Sequence, residues 1–120
     1  MISVVIIDDE IDIRVVLRMA LETVGGMEVV EFEAAADALA YLKRTRPSII
    51  LLDYMMPEMD GPATLRKIRE MPECAGVPVV FLTARAQTHE LAEYKTMGVA
   101  GTITKPFDPM QLADQIKEYL

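Results

Sequence analysis

The sequence predicts an α/β fold of five strand–helix units, (βα)5, in which a five-stranded parallel sheet carries helices on both faces. Three observations lead there. Short aliphatic runs alternate along the chain with segments whose apolar residues recur at helical spacing. The runs Val4–Ile7 and Ile49–Leu52 are continuously apolar, as strands buried on both faces must be. No linker, repeat or low-complexity stretch interrupts the series, so residues 1–120 are expected to form a single domain.

Each element has its own signal. Val4–Ile7 is a β-branched run, the first strand. Ile13, Val16, Leu17, Ala20, Leu21 and Val24 then follow at helical spacing as core-facing positions, and Gly25-Gly26 end that helix. Glu28–Phe32 is a second strand, more mixed in polarity and hence nearer an edge. Asp37–Thr45 reads as a helix broken by Arg46-Pro47. Ile49–Leu52 is the third strand, and Pro62–Met71 a helix with Leu65 and Ile68 inward. Val77–Leu82 is the fourth strand, with Pro78 near its start, where a missing N–H is tolerated. Glu90–Met97 is a helix closed by Gly98, and Ala100–Thr104 a weak fifth strand. Pro109–Leu120 is the last helix, with Asp108 as N-cap and Pro109 at its first position.

The residues that follow the strands are polar. The first strand runs into Asp8-Asp9-Glu10, the third into Asp53, the fourth into Thr83 and the fifth into Lys105. A parallel sheet gathers all carboxyl strand ends on one edge. In the flavodoxin-like order 2-1-3-4-5 the first and third strands are neighbours, so Asp8, Asp9 and Asp53 share one pocket. Two unit charges about 5 Å apart repel by about 3 kcal/mol at an effective dielectric of about 20. Such a pocket needs cations. An oxygen-rich, hydrated site suits Mg²⁺, Lys105 adds a point charge for a phosphoryl oxygen, and Thr83 adds a hydroxyl donor. This is the composition of a phosphoryl-transfer site, with Asp53 as the nucleophile that takes the group.

The segments "VVIIDDE", "LLDYMMPEMDG", "VVFLTA" and "GTITKPF" together resemble the receiver domain of two-component response regulators, in order and spacing over essentially the whole chain. The resemblance implies transfer of a phosphoryl group from a phosphohistidine of a sensor histidine kinase or phosphotransfer protein onto Asp53. It implies Mg²⁺ bound by Asp9 and Asp53, by Asp8 directly or through water, and by the backbone carbonyl of Met55. Thr83 and Lys105 would bind the phosphoryl oxygens, and Lys105-Pro106 would be a cis peptide. The family's aromatic switch, three residues before the lysine, is replaced here by Thr102. Met55 and Arg85 occupy positions that modulate water attack in the family, and the apolar Met55 is expected to slow dephosphorylation.

Other function classes fit less well. A degenerate receiver serving only as a protein-binding scaffold would not need Asp8, Asp9, Asp53, Thr83 and Lys105 together. A small-molecule phosphohydrolase built on an aspartyl phosphate would need an inserted cap and a second carboxylate two residues after Asp53, where Met55 stands. Alone, Asp8-Asp9-Glu10 also suits a helix N-terminus. Met55, Met56 and Met59, with no His or Cys beside them, read as packing and loop residues rather than thioether ligands. His89 is expected to face solvent.

The net charge of −7 disfavours direct nucleic-acid binding, which rests on Lys and Arg neutralising phosphates. Cys74 is the single cysteine, so no intramolecular disulfide forms, and it is expected to be an inert loop thiol. The opening "MISVVII" lacks the basic region of a signal peptide, and no apolar run is long enough to span a bilayer. A cytoplasmic monomer, or a weak phosphorylation-dependent dimer, is the expectation. Ile11, Val15 and Met19 leave a second apolar stripe on the first helix, with Arg14 and Arg18 beside it as a polar rim; the resemblance implies that a kinase helix docks there.

Overall fold

The computed structural model describes residues 1–85 and 87–120. Five strands, β1 (Ser3–Ile7), β2 (Glu28–Phe32), β3 (Ile49–Asp53), β4 (Val79–Thr83) and β5 (Gly101–Thr104), form one sheet in the order β2-β1-β3-β4-β5. All four pairings are parallel, with Val5 opposite Val30 and Ile50, Leu52 opposite Phe81, and Phe81 opposite Thr102. The five helices are α1 (Ile11–Arg18, continued by a π-helical turn over Met19–Val24), α2 (Ala35–Leu42), α3 (Gly61–Glu70), α4 (Thr88–Thr96) and α5 (Leu112–Lys117).

The period-2 geometry of the strands divides the core in two. Val4, Ile6, Ile49, Leu51, Val80 and Leu82 pack with Leu17 and Leu21 of α1 and its continuation, and with Leu112 and Ile116 of α5. Val5, Ile7, Ile50, Leu52, Val79 and Phe81 pack on the other face against Leu42, Leu65, Ile68 and Tyr94. Ile49–Leu52 are fully buried. At about 1.5–3 kcal/mol per buried aliphatic side chain, their burial favours folding by more than the few kcal/mol needed to desolvate the carboxylate at the end of the strand. A buried strand can therefore end on Asp53.

Several boundaries differ from expectation, each for a local reason. Val24 is 45% exposed rather than core-facing. The wider π turn, with Gly25 N–H donating to the Ala20 carbonyl at 3.1 Å, shifts the phase that α-helical spacing assigns to it. The last helix starts at Leu112, not Pro109. Asp108 forms a turn instead of a cap: its side chain accepts from Met110 N at 2.9 Å, and its carbonyl accepts from Gln111 N at 3.1 Å. At its far end, Tyr119 N and Leu120 N reach back three residues to Ile116 and Lys117, which tightens the final turn. The second helix covers Ala35–Leu42, and its last turn closes as Thr45 N bonds to the Tyr41 carbonyl at 3.1 Å. Cys74 is no loop thiol. It is fully buried in a short 3₁₀ turn, Pro72–Cys74, within the core beside Leu42. Burial raises its pKa, which keeps it unreactive.

Candidate functional site at the carboxyl edge of the sheet

Adjacent parallel strands deliver the acidic residues. β1 and β3 are paired through Ile7 and Leu52, so Asp8 and Asp53 emerge side by side. Both are buried, and Asp53 is only 3% exposed. One carboxylate oxygen from each of Asp8, Asp9, Glu10 and Asp53 lies within 4.8 Å of the others. The loop after β5 brings in Lys105: its backbone N–H donates to the Thr83 carbonyl at 2.8 Å, which ties it to the end of β4. The Lys105-Pro106 peptide is cis.

Lys105 Nζ donates to Asp8 Oδ2 at 3.0 Å, Glu10 Oε1 at 3.3 Å and Asp53 Oδ1 at 3.3 Å. Asp8 Oδ1 accepts from Glu10 N–H at 2.8 Å, and Asp53 Oδ1 accepts from Met55 N–H at 3.3 Å. Asp53 Oδ2 is buried with no partner among the described residues. Burial, and then the charge of Asp8, push the Asp53 carboxyl up to about 6 against the pull of Lys105. Burial also raises Asp8. Desolvation acts to lower Lys105, but the hydrogen bond and charge of Asp8, joined by Asp53, lift it above its ordinary value.

One lysine does not neutralise this many carboxylates. The donor set is all oxygen, and Asp53 Oδ2 lacks a partner. These are the features that accommodate a hard dication such as Mg²⁺. Met55 stands at the exposed rim, two residues after Asp53. A cavity of about 500 Å³ opens on one flank, lined by Asp9, Glu33 and the loop Met56–Met59.

Thr83 ends β4 with its hydroxyl buried, accepting from Arg85 N–H at 3.0 Å. Sequence reasoning missed two residues in contact with this machinery. Arg14, expected on an outer rim, is buried instead: its Nη1 donates to the Asp8 carbonyl at 2.8 Å and its Nε to Glu31 at 3.0 Å. Arg18 alone stays partly exposed, bonded to Glu31 and Glu22. The second is Tyr94, whose hydroxyl lies 3.4 Å from Thr83 Oγ1. The signal for it was an amphipathic one, since Leu91 and Tyr94 share a helix face at i, i+3.

The strand order and the acid–lysine cluster at its switch point define a flavodoxin-like α/β domain with a site at the junction of β1 and β3. The response regulator receiver domain model matches residues 4–117, and the chain belongs to that family. It is 35% identical over 119 residues to the response regulator Rre1 of Synechocystis, covering 99% of this chain and 52% of Rre1. It is 32% identical to the phosphate regulon transcriptional regulatory protein PhoB of Pseudomonas aeruginosa, covering 98% of this chain and 51% of PhoB. The chain thus spans about half the length of these two curated relatives. The structure of the chemotaxis response regulator CheY4 of Vibrio cholerae superposes with a TM-score of 0.93 at 29% identity, covering 100% of this chain and 99% of that chain. No helix among the described residues is long and apolar enough to cross a membrane.

Proposed function

We propose that Asp53 accepts a phosphoryl group from a phosphohistidine of a sensor histidine kinase or phosphotransfer protein. The observation that carries this reading is Asp53 Oδ2, a buried carboxylate oxygen without a partner, on a residue whose other oxygen is held by Lys105. With its pKa pushed up to about 6, Asp53 is largely ionised at neutral pH and available as a nucleophile. Its oxygen bonds to phosphorus as the phosphorus–nitrogen bond to the histidine breaks, and the imidazole keeps the electron pair. Lys105 and the Thr83 hydroxyl then hold the phosphoryl oxygens, Lys105 by charge and Thr83 as a donor. Asp8, Asp9, Asp53 and the Met55 backbone carbonyl would hold Mg²⁺, which supplies positive charge to the phosphoryl oxygens.

The exposed residues Ile11, Val15 and Met19, on the helix that follows Asp8-Asp9, suit the docking of a kinase helix. The domain would work in the cytoplasm as one folding unit over 1–120, a monomer or weak phosphorylation-dependent dimer that signals by binding proteins and not nucleic acid. The test is transfer of radiolabelled phosphate from a panel of autophosphorylated histidine kinases. One member should label the wild-type domain rapidly and Asp53→Ala not at all. Equal labelling of both would show that Asp53 is not the acceptor.

A further inference from the structure

Helix α4 places a tyrosine hydroxyl at Thr83. Tyr94 is 2% exposed, and its ring packs against Tyr54 at 5.0 Å and Phe81 at 5.6 Å between centroids. Tyr54 directly follows Asp53, and Phe81 lies two residues before Thr83 on β4. The ring is therefore fixed by the same strands that carry the acceptor and the hydroxyl. Its Oη lies 3.1 Å from the Arg85 carbonyl, to which it donates, and 3.4 Å from Thr83 Oγ1.

Hydroxyl bookkeeping then limits what Thr83 can do. A threonine hydroxyl has one proton and two lone pairs. One lone pair accepts the Arg85 N–H at 3.0 Å. With no anion bound, the Thr83 proton has two neighbours among the described residues, Tyr94 Oη and the Arg85 carbonyl at 3.3 Å. To hold a phosphoryl oxygen, Thr83 must turn that proton toward Asp53. The vacated direction leaves its second lone pair facing Tyr94, whose O–H is the donor within reach.

We propose that Tyr94 is a positioning residue for phosphoryl binding: its hydroxyl swings from the Arg85 carbonyl to Thr83 Oγ1 and so fixes the Thr83 proton on the phosphoryl oxygen. This rests on the reading of Asp53 as acceptor. The swing exchanges one neutral hydrogen bond for another and moves no heavy atom far, because the ring is held by Tyr54 and Phe81. It also makes α4 sensitive to the state of Asp53, since the Tyr94 hydroxyl changes partner when the site fills.

Beryllofluoride, a stable mimic of a phosphoryl group on a carboxylate, is the probe. Its dissociation constant is measured in Mg²⁺ for the wild type, Tyr94→Phe, Thr83→Ala and the double variant. Phenylalanine keeps the ring packing, so folding is preserved. Tyr94→Phe should weaken binding about three- to tenfold, the effect of one neutral hydrogen bond. In the Thr83→Ala background the same change should alter binding by less than about twofold, because the hydroxyl it positions is gone. Equal losses in both backgrounds would assign Tyr94 to packing alone and overturn the proposal, as would no loss in either. A wild type that binds no beryllofluoride would overturn the reading of Asp53 itself, and this proposal with it.

Discussion

The two carboxylate oxygens of Asp53 have unequal surroundings: Oδ1 accepts from Lys105 and Met55, while Oδ2 is buried without a donor. A buried, unsatisfied polar atom costs about 1–3 kcal/mol. Asp53→Ala removes that cost together with the repulsion from Asp8. The variant should melt roughly 4–12 °C above the wild type in EDTA, taking about 4 °C per kcal/mol for a chain of this length. Calorimetry checks this, and a lower melting temperature would mean that the carboxylate is satisfied by its neighbours. At this scale the sequence was readable in where it places Asp8, Asp53, Thr83 and Lys105, at or just after strand ends and so on one edge of the sheet. Tyr94 and Arg14 were not readable. Tyr94 occupies a helix position whose spacing announces only burial, Arg14 one that reads as an exposed rim, and what each touches depends on tertiary packing.

The loop between β3 and α3 is built around a close approach. The Gly61 N–H donates to the Tyr54 carbonyl at 2.9 Å, and a Cβ on Gly61 would lie 2.8 Å from both the Asp53 carbonyl oxygen and Tyr54 Cα. Backbone atoms in a buried strand cannot give way as a flexible side chain can. Gly61→Ala should therefore destabilise the fold by about 1–3 kcal/mol and displace the end of β3. Urea denaturation measures the first effect and the rate of labelling by acetyl phosphate the second. An unchanged midpoint would contradict the close contact. Helix α1 presents a different kind of feature. Ile11, Val15 and Met19 are 63%, 55% and 54% exposed, so shortening them costs little stability. Val15→Ala with Met19→Ala should slow phosphotransfer from the cognate kinase and leave labelling by acetyl phosphate unchanged, since that small donor needs no docking surface. Equal slowing by both donors would place the damage in the site. Strand positions were legible to within two residues because continuous apolar runs admit few alternatives. Helix ends were less so. The Asp108 turn and the π turn after Arg18 are local hydrogen-bond choices that periodicity does not encode.

Taken whole, the molecule carries a net charge of −7, and the carboxylates of Asp8, Asp9, Glu10 and Asp53 gather at one edge of the sheet. The folded-state pKa values of Asp53 and Asp8 are raised from 3.8, that of Asp53 to about 6. Between these values the folded chain holds more protons than the unfolded one, so these groups make metal-free stability fall as pH rises from about 4 to 6 and then level off. Mg²⁺ should reverse this at neutral pH. At about 100 times its dissociation constant, a ligand adds about 2.7 kcal/mol, or roughly 10 °C for a domain of this length. At about pH 4.5 protons compete for the same carboxylates and the shift should largely vanish. Thermal melts with and without MgCl₂ at both pH values check this, and a shift of equal size at both would place the metal elsewhere.

Asp53 as phosphoryl acceptor is the central proposal. The most direct measurement is intact mass after incubation with acetyl phosphate and Mg²⁺, followed by peptide mapping. The wild type should gain the mass of one phosphoryl group on the peptide containing Asp53, and Asp53→Ala should gain none. A wild type that stays unmodified, or a variant that is labelled equally, would contradict the assignment.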